Sequence, residues 1–223
     1  MQRLLHRRCA GTVASCSLCG VAPLRVIDPT GIYHVMSRGN YRQTIFVDDD
    51  HFSRYLFLVD RVTARRKWIV LDWCLIPNHY HLLIQLTEDG LSDGMRELNG
   101  CFSRWSNAVR DRTGTGHLVR NRFTCRHVAT DSHLFNVTRY LALNPVAADL
   151  TRSPDEWPWS GYRALAGLDH PLRFHRPAEL LKYFDSDPSL AQEAYRRFVR
   201  NSAVPTGIDP WSDHGFDVVR SRA

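Results

Sequence analysis

The chain has 223 residues, 43% of them apolar and 23% charged, a balance that excludes a disordered or fibrous polypeptide and suits one domain with appended termini. Its 29 Lys and Arg against 23 Asp and Glu leave a formal charge of +6, which favours a polyanionic partner. No apolar run approaches the roughly 18 to 20 residues of a membrane span, and Thr12, Ser15 and Ser17 break up what would be a signal-peptide core, so a cytoplasmic protein with no membrane partner is expected.

Gly31 to Ser37, rich in β-formers and bounded by Pro29 and by Arg38-Gly39-Asn40, reads as a first strand entering a loop. Behind three aspartates, Phe52, Tyr55, Leu56, Val59 and Val62 recur at helical steps, which predicts a helix from Asp48 to about Lys67. Trp68 to Leu86 reads as two strands of an antiparallel hairpin, because Pro77-Asn78 cannot continue a sheet ladder. Leu91, Met95, Leu98, Phe102, Trp105 and Val109 place a second helix over Leu91 to Arg112, stopped by Thr113-Gly114-Thr115-Gly116. Arg122 to Val128 reads as a further strand, and Thr130-Asp131-Ser132 supplies capping oxygens for a helix that includes Tyr140.

Three helices and about four strands imply an α+β domain with an antiparallel sheet. After Leu150 the composition changes to P-D-E-W-P-W-S-G-Y and then to a basic helix near Leu190 to Arg200. The chain thus divides into an N-terminal extension over 1–22, expected to be disordered, a domain over 23–150 and a partly ordered extension over 151–223. The six cysteines are scattered, apart from a Cys16/Cys19 pair that lacks the second pair of a zinc site, which suits reduced thiols.

The most informative run is Pro77-Asn78-His79-Tyr80-His81, because histidines one residue apart on a strand share a face and can share one divalent ion. Taken alone, H-x-H more often describes one core histidine and one at the surface. Such a pair also needs a third donor. Asn144 can supply an amide oxygen suited to Mg²⁺ or Mn²⁺, and it lies one helical turn beyond Tyr140, on the same face. A phenol of ordinary pKa, about 10, is a weak nucleophile at neutral pH, so Tyr140 would need the ion or a base beside it. By itself Tyr140 equally suits the core face of an amphipathic helix. Arg104, Arg110, Arg112, Arg120, Arg122 and Arg126 interleave with Phe102, Trp105 and Phe123, a pattern that suits a charged groove with bases stacked along it, or a core with a solvated basic face.

Five ordered motifs resemble the HUH single-tyrosine transposases, and specifically the REP-associated tyrosine transposases of bacteria. They are P-L-R-V-I-D-P-T-G-I-Y-H-V-M-S-R-G-N from Pro23, P-N-H-Y-H-L-L-I from Pro77, G-H-L-V-R-N-R-F from Gly116, R-Y-L-A-L-N-P-V from Arg139 and W-P-W-S-G-Y from Trp157. The resemblance implies a ferredoxin-like antiparallel sheet of four to five strands with helices on one face. It further implies Mg²⁺ or Mn²⁺ dependence and action on single-stranded hairpins of repetitive palindromes in the bacterial nucleoid, by a monomer rather than a dimer. Residue by residue, His79 and His81 match the HUH pair and Tyr140 the nucleophile. Asn144 matches the polar metal-side position where related insertion-sequence enzymes carry glutamine. Arg38, Asn40, Arg104, Arg120, Arg122 and Arg126 are the expected DNA contacts.

The expected activity is a metal-dependent single-strand endonuclease and strand transferase working through a 5'-phosphotyrosine. The alternatives are a non-catalytic hairpin-binding regulator of the same fold and an HUH initiator of replication or conjugation. Pro145 withdraws a helical hydrogen bond directly after Asn144, a departure from regular geometry at the site.

Overall fold

A computed structural model describes residues 27–112, 118–119 and 122–201. The expected disorder of 1–22, the C-x-x-C pair, Arg120 and the tail beyond residue 201 lie outside these residues.

Strand β1 (Ile32–Arg38) leads into α1 (Asp49–Arg66), where the Asp48 carboxylate accepts from the His51 N–H and Lys67 ends the helix in the left-handed region. β2 (Ile69–Ile76) and β3 (His79–Gln85) form the expected hairpin. Next come α2 (Leu91–Val109), β4 (Thr124–His127) and α3 (Asp131–Ala147), whose cap Thr130 accepts from the His133 N–H. The sheet order is β2-β3-β1-β4 with every pairing antiparallel. This is the βαββαβ arrangement of a ferredoxin-like fold, in which each crossover helix spans two parallel strands with a third between them.

The two crossover helices share one face, as expected, and α3 with the C-terminal helices covers the other. Tyr33, Val35, Tyr80, Leu82 and Ile84 join one apolar core with Phe52, Tyr55, Val59, Met95, Leu98 and Phe102 of α1 and α2. Leu71, Cys74, Ile76 and Leu83 join another with Leu134, Val137 and Leu141 of α3 and with the C-terminal helices. The physical reason is that β2 offers apolar residues to both sides and β3 adds Leu83 opposite Tyr80, Leu82 and Ile84, with nearly every residue buried, so neither face can be left to water.

The C-terminal segment provides much of that second cover through α4 (Tyr162–Leu165), α5 (Pro177–Leu181) and α6 (Pro188–Arg200). It also closes the free edge of β2. The Leu75 N–H donates to the Trp159 carbonyl, the Gly161 N–H to that of Trp73, and the Arg176 N–H to that of Val70, removing an edge that could pair with another chain. Trp159 stacks on Phe52 with ring centroids 4.8 Å apart. Gly161 passes so close to Asp72 that a Cβ there would sit 2.5 Å from the carboxylate Oδ1. The W-P-W-S-G-Y motif is therefore a seal for the sheet edge.

Candidate active site

Strand alternation decides which side chains meet. Because Tyr80, Leu82 and Ile84 enter the core beneath α1 and α2, His79 and His81 must point the other way, toward α3. The turn before them is held in place by backbone bonds, from the N–H groups of Ile45 and Phe46 to the Pro77 carbonyl and from the Gly39 N–H to the Asn78 carbonyl. The two imidazoles lie with centroids 5.0 Å apart and nearly perpendicular. The His79 Nδ1–H donates to the Asn78 side-chain oxygen at 2.6 Å, a bond that leaves its Nε2 as the acceptor.

Tyr140 reaches the same place from α3. Its ring stands edge-on to His81 with centroids 5.2 Å apart. The helix continues through Pro145, so the departure feared from the sequence does not unwind it, and Asn144 stays on the helix, buried at 5% exposure. Among the described residues, His81 Nε2 on β3 and Asn144 Oδ1, one helical turn beyond Tyr140, are buried with no hydrogen-bond partner. Buried polar atoms are rarely left unpaired because desolvation without compensation costs about 1–3 kcal/mol each. An imidazole nitrogen and an amide oxygen are both donor types that a divalent cation accepts. Among the described residues no three His, Cys, Asp or Glu side chains form a ready ligand group, so a third donor would have to be of another kind, as the Asn144 amide is.

Electrostatics favours the ligand form of the histidines. Burial pushes the His79 imidazole down to about 3, with the Arg38 charge adding to the effect. Burial, then the neighbouring His79, His34 and Arg38, hold His81 well below its ordinary value. Both rings are thus neutral near pH 7, and a neutral imidazole has a lone pair to give.

His34, at the middle of β1, was not singled out from the sequence. Its Nε2 lies 2.9 Å from His81 Nδ1, and its ring is 6.4 Å from that of Tyr140. The available signal was a polar residue inside the apolar run G-I-Y-H-V-M-S.

The expected DNA contacts separate. Arg38 stands opposite His79 in the β1–β3 register and close enough to influence both histidines. Asn40 follows directly, its N–H donating to the Leu118 carbonyl. Arg126 is opposite His34 on β4, on the histidine face but buried, and Arg122 is exposed just before β4. Arg104 lies elsewhere, in a groove between α1 and α2 with Arg54, Phe57, Arg61 and Arg65, across the sheet from the histidines. Phe102 and Phe123 belong to the apolar core, which corrects the idea of a stacking platform, because residues buried to this extent cannot receive bases. Arg110 and Arg112 tie the end of α2 to the Thr44 carbonyl and the Gln43 side chain.

A family model described as "Transposase IS200 like" matches residues 29–144, just over half of the chain and all of the sheet, the histidines, Tyr140 and Asn144. The chain belongs to the IS200-like transposase family. Membership makes it a transposase acting on DNA and implies use of a metal ion. Among solved structures, it is similar to a REP-associated tyrosine transposase bound to a REP hairpin, with a TM-score of 0.56 and 18% identity over 70% of this chain and 97% of that one. At that identity the likeness speaks for the fold. A Deinococcus radiodurans protein described as a transposase aligns over 54% of this chain and 95% of its own with 14% identity and a TM-score of 0.38, too low to carry an argument. No curated protein sequence matches. Among the described residues no helix is long and apolar enough to cross a membrane.

Proposed function

We propose that this transposase cuts and rejoins single-stranded hairpin DNA, with Tyr140 as nucleophile, His79, His81 and Asn144 as ligands of Mg²⁺ or Mn²⁺, and Arg38 as a phosphate contact. The observation that carries the reading is the edge-on approach of Tyr140 to His81, 5.2 Å between centroids, with His81 Nε2 and, one helical turn beyond Tyr140, Asn144 Oδ1 buried without partners among the described residues. When bound, the ion would polarise a non-bridging phosphate oxygen and offset transition-state charge. The Tyr140 oxygen forms the new bond to phosphorus as the bond to the 3'-oxygen breaks. The phenol's proton passes to solvent and the departing 3'-oxygen takes one up, leaving the 5'-phosphate on Tyr140; a second 3'-hydroxyl or water then attacks the same phosphorus, loses its proton, and displaces the Tyr140 oxygen, which is reprotonated. Arg38, opposite His79 in the β1–β3 register, brings beside the histidines a positive charge suited to phosphate.

Recognition of a hairpin is supported by the positive balance of the chain, and the similar structure was solved with a REP hairpin. The test is incubation with end-labelled single-stranded hairpin DNA and Mn²⁺ followed by denaturing electrophoresis. A protein–DNA adduct is expected from the parent and none from Tyr140→Phe. Undiminished cleavage by that variant would remove Tyr140 from the mechanism.

A further inference from the structure

The second nitrogen of His81 is taken by a residue that is neither ligand nor nucleophile in the reading above. His34 is 1% exposed and its Nε2 lies 2.9 Å from His81 Nδ1. One hydrogen occupies that contact, and it can belong to either ring. If His34 donates it, His81 carries its own proton on Nε2, and that nitrogen has no lone pair in the ring plane. If His81 donates it, Nε2 has an open lone pair. The second arrangement fits the surroundings, because His81 Nε2 is buried and meets no acceptor for a proton. A buried N–H without an acceptor is rarer than a buried lone pair without a donor.

We propose that His34 is a positioning residue: by accepting the Nδ1–H of His81 it fixes the ring's orientation and its tautomer, so that Nε2 faces the site as an electron-pair donor. The proposal rests on the metal-site reading. The same arrangement recurs one ligand away, where Asn78 Oδ1 accepts from His79 Nδ1–H at 2.6 Å, so each histidine of the pair has an outer partner on the same ring atom. The two partners differ in how they are held. Asn78 belongs to the turn and is only partly buried, whereas His34 is set by the β1–β3 ladder, where His34↔Leu83 and Met36↔His81 bracket the contact. Partners of this kind usually change metal affinity by about 10- to 100-fold when removed.

The experiment has two arms on the full-length protein. Long-range ¹H–¹⁵N correlation spectra of histidine-labelled, metal-free protein report which nitrogen of His81 bears the proton. Nδ1 is expected in the parent, and a proton on Nε2 would overturn the proposal without any variant being made. Mn²⁺ affinity is then measured by electron paramagnetic resonance for the parent, His34→Leu, His34→Gln and His81→Ala, with circular dichroism as the check on folding. His34→Leu is expected to bind about 10- to 100-fold more weakly. His34→Gln, whose amide oxygen can accept the same hydrogen, is expected to recover most of the loss. If His81→Ala weakens Mn²⁺ binding and a folded His34→Leu does not, the positioning role is overturned and the metal site stands. If neither changes it, the metal reading itself falls, and the purpose assigned to His34 goes with it.

Discussion

On β3, Tyr80, Leu82 and Ile84 enter an apolar core beneath α1 and α2, while His79 and His81, one residue out of step, point toward α3. On the first side the buried groups are mainly apolar, and the Tyr80 hydroxyl among them donates to Asn99 Oδ1 at 2.6 Å. On the second, His81 Nε2 and Asn144 Oδ1 lie buried and unpaired. One ladder thus carries an apolar face packed under α1 and α2 and a face on which two imidazoles meet the Tyr140 ring. Unsatisfied atoms are tolerated where the strands are clamped from behind by a well-packed core.

This contrast predicts that substitutions on the two faces separate chemistry from stability. The largest effect belongs to the histidine side: Tyr140→Phe should lower adduct formation by more than about 10³-fold while the thermal midpoint moves little. Comparable losses from arbitrary substitutions on the α1/α2 side would erase the distinction. Next, Leu82→Ala, at a position with 0% exposure, should cost about 2–5 kcal/mol in chemical denaturation while the folded fraction keeps its Mn²⁺ affinity. Asn144→Leu, close in shape, should remove Mn²⁺ affinity yet raise stability by about 1 kcal/mol, since it deletes an unpaired buried oxygen. A destabilised Asn144→Leu would mean that this oxygen is satisfied in the free protein.

The last effect concerns a buried imidazole away from the candidate site. His175 packs against β2, its Nε2–H donating to the Leu71 carbonyl at 3.2 Å, and burial brings it down to about 4. In the unfolded chain it takes up its proton near 6.5, so between these values the unfolded state holds more protons and stability falls as pH drops. The full contribution is present above about pH 6.5 and declines through the window down to about 4, by up to about 1.4 kcal/mol per pH unit. Urea midpoints at pH 7, 6 and 5 should show this slope, and His175→Gln should flatten it. An unchanged slope in that variant would assign the acid sensitivity to the histidine face instead.

Much of the fold was legible because it rests on local rules. The Pro77-Asn78 turn, the Asp48 and Thr130 caps and the helical spacing of α1 and α2 each depend on residues within a few positions of one another, and all appear where the periodicity puts them. The two-residue step of His79 and His81 and the four-residue step of Tyr140 and Asn144 were legible for the same reason. The position of Arg104 across the sheet from the histidines was not legible, because helical spacing fixes which residues share a face but not which side of a sheet the helix will cover. Phe102 and Phe123 look alike in sequence whether they stack on bases or fill a core.

By itself, then, the sequence determined the elements, their caps and turns, the family and the pairs of side chains that share a face, since these follow from backbone geometry over a few residues. Only the tertiary structure decided that β2 would be sealed by Trp159, Gly161 and Arg176, that α3 would bring Tyr140 to His81, and that His34, 47 positions earlier, would hold the back of that ring. Contacts of that span arise from the burial of whole faces against each other, and no local periodicity encodes which distant residue will arrive.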